Sequence, residues 1–201
     1  RIYCGVIIDN TYLYMGTDNG ILIYNYRTDR YEQPATDFPT DVRTMALQGD
    51  TLWIGALNGL YTYQLQNRKL SPLDTKRNGL PHNTIYSIIR TGDNQIYVGT
   101  YNGLCRYIAS NGKFEKIPLP VNSSQSNLFV NSLLEDTGRQ CIWIGTEGYL
   151  FQYFPSTGQM KQTEAFHNNS IKSLALDGNG DLLAGTDNGL YVYHNDVTPL
   201  Q

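Results

Sequence analysis

One phrase recurs five times along this 201-residue chain. It reads LWIGALNGLYTY at 52–63 and returns as YMGTDNGILIY at 14–24, IYVGTYNGLCRY at 96–107, IWIGTEGYLFQY at 142–153 and LLAGTDNGLYVY at 182–193. Its central glycine falls at Gly16, Gly55, Gly99, Gly145 and Gly185, at steps of 39, 44, 46 and 40 residues. Self-similarity at roughly 40–50 residues marks stacked or radial repeat architectures. A second segment precedes each phrase: VRTMAL from Val42, IYSIIR from Ile85, VNSLLE from Val130 and IKSLAL from Ile171, with YCGVII from Tyr3 as a weaker first copy. Its pattern is a β-branched residue, a variable one, a small one and then apolar residues.

These segments predict strands. Between the two conserved segments lie QGDT, TGDNQ, DTGRQ and DGNGD, rich in residues that accept positive φ. TDNG or TYNG follows the second strand. Asn-Gly is a strong hairpin signal, because both residues accept left-handed conformations. A third strand of the GLYTY type comes next, and the middle units add a fourth, such as 113–117. No stretch carries a sustained 3.6-residue apolar period with caps, so helix should be scarce.

Four antiparallel strands in about 40–45 residues make a propeller blade. The chain is therefore expected to be all-β, a β-propeller of about five four-stranded blades at roughly 1–38, 39–82, 83–128, 129–168 and 169–201. The glycine within the second strand leaves room for a neighbouring blade. Trp53 and Trp143 share one repeat position, filled elsewhere by Tyr14, Tyr97 and Leu183. Neighbouring residues of a strand point to opposite faces, so Leu52-Trp53-Ile54 should pack against both flanking blades. A β-sandwich is the rival, but it does not require one phrase at one place in every unit.

Composition narrows the partners. Net charge is −3 and charged residues are 16%, with no Lys/Arg stripe of the kind that grips phosphates, so nucleic acid is not expected as a partner. No run of 18 apolar residues occurs, so no membrane contact is expected of these residues. Cys4, Cys105 and Cys141 share no metal-ligand spacing and are expected as small strand hydrophobes. The opening RIYCGVIIDN carries no initiator Met and no leader pattern, which suggests a piece of a longer protein.

The phrase L-W-I-G-T-x-x-G-L-x-x-Y, after an apolar strand and a D-x-x-G-type turn, resembles the two-component regulator propeller repeat. Ile142-Trp143-Ile144-Gly145-Thr146 and Gly103-Leu104 match closely, and the resemblance covers essentially the whole chain. Ala56 replaces the usual Thr, Gly148-Tyr149 stands one residue early, and no clear fourth strand follows Tyr193. The resemblance implies the periplasmic sensor region of a hybrid two-component regulator. Such regions carry seven-bladed propellers, often in tandem, then an immunoglobulin-like domain, a membrane helix and a cytoplasmic histidine kinase. Five units would then be an incomplete arc of a larger ring, or an unusually small one.

Catalytic signatures are weak. His82, His167 and His194 share no repeat position, and no G-x-S-x-G elbow is present. Asp177-Gly178-Asn179-Gly180-Asp181 begins like a calcium loop, but Leu182 and Asn188 stand where Gly and Glu are needed, so a plain turn is expected and no metal or cofactor. Asn122-Ser123-Ser124 and Asn168-Asn169-Ser170 are formal glycosylation sequons. The second-to-third-strand turns should share one face with the loops at 34–41, 76–83, 120–129 and 165–170. Such loops on a rigid scaffold are where binding resides. That face would present Asp18, Asn19, Asn58, Tyr101, Asn102, Glu147, Asp187 and Asn188, with Arg77, His82 and Asn83 nearby.

The ligand-binding candidates taken from this face are Asp18, Arg77, His82, Tyr101, Asn102, Glu147 and Asp187. Carboxylates and amides bond hydroxyls in both directions and aromatic rings cover sugar faces, so an oligosaccharide is the expected ligand. Turn geometry alone accounts for the Asn-Gly residues, whereas nothing in the turn requires Tyr101 or Glu147. Arg43, Tyr86, Asn131 and Lys172, at the variable second position of the innermost strand, form another candidate set.

A non-catalytic sensor needs moving parts beyond a rigid arc, so an adjacent propeller or immunoglobulin-like domain, or a homodimer interface, is implied as partner. The alternatives are a propeller enzyme resembling the streptogramin lyases, or a protein-interaction platform, for which the loops are too polar.

Overall fold

The computed structural model describes residues 1–34, 36–120, 128–163 and 169–194, and they are almost wholly strand. The chain divides into two units, 1–118 and 119–201. The first holds three four-stranded antiparallel sheets in simple sequential order. They are β1 (Ile2–Ile8), β2 (Tyr12–Thr17), β3 (Gly20–Asn25) and β4 (Arg30–Glu32); β5 (Val42–Gln48), β6 (Thr51–Ala56), β7 (Gly59–Gln64) and β8 (Lys69–Leu73); and β9 (Ile85–Arg90), β10 (Ile96–Thr100), β11 (Gly103–Ile108) and β12 (Lys113–Ile117). The second unit holds β13 (Val130–Asp136), β14 (Cys141–Thr146), β15 (Leu150–Phe154) and β16 (Gln159–Thr163), then a three-stranded sheet of β17 (Ile171–Leu176), β18 (Leu182–Thr186) and β19 (Gly189–Tyr193). The four-stranded expectation thus holds for four sheets, and the fifth shows three strands among the described residues. The one helix among these residues, α1 (Thr75–Asn78), is a single turn capped by Asp74 and closed by Gly79 at φ 73°. No helix among them is long and apolar enough to cross a membrane.

The repeated glycine is a socket. A methyl group on Gly55 would stand 2.6 Å from Cγ2 of Ile85, the first residue of the next sheet. Gly16 meets Val42 in the same way at 2.7 Å, and Gly145 meets Ile171 at 2.6 Å. Val42, Ile85 and Ile171, the β-branched residues that open their innermost strands, therefore plug the glycine of the sheet before them, which is why both positions recur. The triplet packs in both directions as its alternation requires. Leu52 and Ile54 join a core with Ile8, Ile21 and Ile23 of the first sheet, while Trp53 joins Ile85, Ile88, Ile96 and Val98 of the third.

A latch closes two of these interfaces at their far end. The Trp53 indole donates to Gln48 Oε1 at 3.0 Å, and Gln48 Nε2 donates to the Asn94 carbonyl of the next sheet at 2.8 Å. In the second unit the Trp143 indole donates to Asp136 Oδ2 at 3.0 Å, and Arg139 bridges Asp136 at 2.6 Å to the Gly180 carbonyl at 2.8 Å. Gln48 and Asp136 each close their innermost strand, and Asn94 and Gly180 occupy one repeat position. Each indole also meets a tyrosine of the next sheet edge-on, Tyr107 at 4.8 Å and Tyr193 at 5.7 Å.

In the turns at Gly20, Gly103 and Gly189 only the glycine is left-handed, with φ 108°, 95° and 115°, while Gly59 and the asparagines stay out of that region. The preceding threonine does the remaining work. Thr100 Oγ1 accepts from the Asn102 N–H at 3.0 Å and donates to the Gly103 carbonyl at 2.9 Å. Thr17 and Thr186 repeat the arrangement. The hydroxyl fixes the turn locally, so Asn need not leave its ordinary conformation.

Candidate functional site: bulges and turns

Every innermost strand slips register at its second residue. The pairing skips Tyr3, Arg43, Tyr86, Asn131 and Lys172 in turn. These are β-bulges, which leave one residue outside the ladder and re-aim its side chain. The variable position is thus a reserved exit from the sheet, and at Tyr3, Asn131 and Lys172 its side chain meets a second-to-third-strand turn. The two candidate sets of the sequence converge within each unit.

In the first unit the Tyr3 hydroxyl donates to Asp18, and the Arg43 guanidinium lies over the Tyr3 ring at 3.8 Å while pairing with Asp41 at 3.2 Å. The Tyr3 hydrogen bond holds the Asp18 carboxyl below the usual carboxylate range. Further along, His82 and Tyr101 stack at 4.9 Å with 32° between their planes. His82 Nδ1 accepts from the Thr84 N–H at 3.0 Å, which leaves the remaining proton of a neutral ring on Nε2. The Thr84 carbonyl in turn accepts from the Tyr101 N–H at 3.0 Å, so one loop and one turn hold the pair.

In the second unit Lys172 Nζ reaches Glu147 at 3.3 Å and Asp187 at 3.6 Å. Asn131 Nδ2 donates to Glu147 at 3.5 Å and to Ser170 Oγ at 3.4 Å. Burial raises the Glu147 pKa, but hydrogen bonds from Lys172, Ser170 and Asn131 outweigh it, and the carboxyl lies below the glutamate range. Glu147 and Asp187 are thus brought together through a lysine from the other set.

Two candidates are not brought in. Asn102 spends its backbone N–H on Thr100, as turn duty predicts. Arg77 is exposed on α1 and pairs at 3.6 Å with Asp74 of its own cap. Asp177 behaves as a turn residue, accepting from the N–H groups of Asn179 and Asp181 at 2.8 and 2.9 Å. No cluster of metal-ligating side chains occurs among the described residues. His167, Asn122 and Asn168 lie outside them. Sequence reasoning missed the bulge, although the fixed motif of a β-branched, a variable and a small residue was its signal.

The family model for the two component regulator propeller matches residues 79–102. Along its full length the chain is 91% identical, with a TM-score of 0.94, to the extracellular domain of BT4673 from B. thetaiotaomicron, of which it spans 27%. That protein is described in one structure as a one component system and in another as a hybrid two component system. The extracellular domain of a second such system from that organism, BT3049, shares the fold at a TM-score of 0.81 and 19% identity, over 98% of this chain and 28% of its own. A computationally designed protein, Ika8, shows the fold at a TM-score of 0.68 and 14% identity, over 96% of this chain and 58% of its own. Comparison with curated proteins returns no match. Residues 79–102 thus carry the two component regulator propeller repeat, and the extracellular placement of the relatives agrees with a periplasmic location.

Proposed function

We propose that the chain is a non-catalytic segment of an extracytoplasmic sensor, which binds an oligosaccharide and relays the event to a histidine kinase elsewhere in the protein. The carrying observation is the 91% identity, over all of this chain, to the extracellular domain of a protein described as a hybrid two component system. The row of bulges and turns supports a polyhydroxylated ligand. The second unit by itself offers carboxylates, an amide and an ammonium group, and the first unit by itself a stacked His82–Tyr101 pair. Signal transfer requires a second state, so the relay involves an adjacent propeller or immunoglobulin-like domain, or a second copy in a homodimer.

The test is isothermal calorimetry of the full extracellular region against host and plant oligosaccharides, with Tyr101→Ala and Glu147→Ala alongside. Binding that weakens in Tyr101→Ala supports a site on the first unit, and binding that weakens in Glu147→Ala a site on the second. Absence of heat across the panel refutes the saccharide reading.

A further inference from the structure

The latch that seals two of the sheet interfaces is missing from a third. In the first sheet Tyr14 occupies the indole position and Ile8 the acceptor position. Isoleucine accepts no hydrogen bond, and tyrosine is smaller than tryptophan. A cleft of about 240 Å³ opens there between the first and second sheets. Its walls include Ile8, Tyr12, Tyr14 and Tyr63, with Asp9, Glu32 and Arg68 at the edge. The equivalents of Tyr63 are Tyr107 and Tyr193, the two tyrosines that meet an indole at the latched interfaces. The cleft is therefore the place an indole fills elsewhere.

Its polar groups are unspent. The hydroxyls of Tyr12, Tyr14 and Tyr63 have no hydrogen-bond partner among the described residues, and none is sealed from solvent. The Arg68 guanidinium has no ion-pair partner among the described residues. Only Glu32 is engaged, accepting from Asn25 at 2.7 Å. The Tyr63 ring is held edge-on by Phe38 at 4.9 Å, so the wall is set before any ligand arrives.

We propose that this cleft binds a single pyranose ring. A ring-sized guest fits the vacated indole position, and its hydroxyls match three phenols, two carboxylates and a guanidinium. The volume is below that of drug-sized pockets, which begin at about 300 Å³. Tyrosine walls suit the apolar faces of a sugar. The inference rests on the saccharide reading above but places a site away from the bulge row, at the opposite end of the strands.

Saturation-transfer NMR and calorimetry on the full extracellular region, with methyl glucoside, galactoside, mannoside and N-acetylglucosaminide as probes, provide the test. Tyr14→Trp refills the cleft as the other interfaces do and should abolish binding while leaving the melting temperature unchanged or higher. Tyr14→Phe keeps the wall, removes one hydroxyl and should weaken binding about tenfold. Tyr101→Ala should leave this binding intact. Binding that survives Tyr14→Trp but is lost in Tyr101→Ala overturns the cleft and keeps the saccharide reading. Failure of every probe and every oligosaccharide overturns both.

Discussion

Replacing Gly55 with alanine adds one methyl group at the most crowded point between two sheets. The new carbon would lie 2.6 Å from Cγ2 of both Ile85 and Thr44. Carbon atoms rest at about 3.5–4.0 Å, so each contact overlaps by roughly 1 Å. Ile85 is fully buried and packed among Ala46, Trp53 and Leu60, so it cannot retreat without moving them. Overpacking of this kind costs about 1–3 kcal/mol, and two simultaneous overlaps point to the upper part of that range. The gain from a stiffer unfolded chain offsets only about 0.4–1 kcal/mol. A net loss of about 2 kcal/mol corresponds to a fall of roughly 4–8 °C in Tm for a chain of this size.

Ile85→Ala removes the offending Cγ2, and Thr44→Ser removes the other while keeping the hydroxyl that accepts from the Ile88 N–H at 3.0 Å. Urea titrations of Gly55→Ala, Ile85→Ala and the pair form a double-mutant cycle. Coupling of at least about 1 kcal/mol, with the pair more stable than the sum of the singles, is expected. Gly178→Ala is the control, because no atom lies within 4 Å of its added carbon and its φ is ordinary. Additive costs in the cycle, or a Gly55→Ala protein as stable as wild type, would falsify the socket.

Other perturbations test the turn, the latch and the candidate row. Thr100→Val keeps the shape but strands the Asn102 N–H and the Gly103 carbonyl, and chemical denaturation should show a loss of about 1–3 kcal/mol. Asp136→Ala leaves the Arg139 guanidinium and the Trp143 indole without their shared acceptor, and should cost about 3 kcal/mol by the same assay. The Asp136 carboxyl is buried, which opposes its charge, yet hydrogen bonds from Trp143 and Arg139 draw its pKa below the aspartate range. The unfolded chain therefore binds the proton first, and stability falls as pH drops below about 4. Thermal melts across pH 2–7 should show a shallower acid limb in Asp136→Asn. Lys172→Met should raise the Glu147 pKa toward the ordinary glutamate value, visible by carboxyl NMR titration.

Much of the fold was legible because it is local or repeated. Strand alternation, the Asn-Gly turns and the glycine at each Gly55-like position all lie in a few consecutive residues, and repetition separates them from chance. The end shared by turns and inter-sheet loops was legible too, since sequential hairpins leave little choice. The latch was not. Gln48 and Asp136 have different chemistry and do not recur as a motif, and their role depends on reaching a carbonyl in the next repeat. The convergence of Lys172 with Glu147 and Asp187 was hidden for a similar reason. A bulge breaks the strand's period of two, and that break sends a nominally inner-strand side chain to the turn. The cleft beside Tyr14 becomes readable only against the latched interfaces, because the signal is a departure from a pattern that sequence alone did not reveal.

The plug of one sheet and the socket of the one before it sit on different repeats, and this governs how such a chain can change length. Duplicating or deleting one whole repeat leaves a β-branched residue facing a glycine at the new junction. An insertion within a loop leaves both untouched, and the steps between glycines already vary from 39 to 46 residues. A one-residue change inside a second strand has no such freedom, because it moves the socket away from its plug and turns the Trp53-type residue toward the wrong neighbour. The architecture accepts gain and loss in units of about forty residues and resists them in units of one.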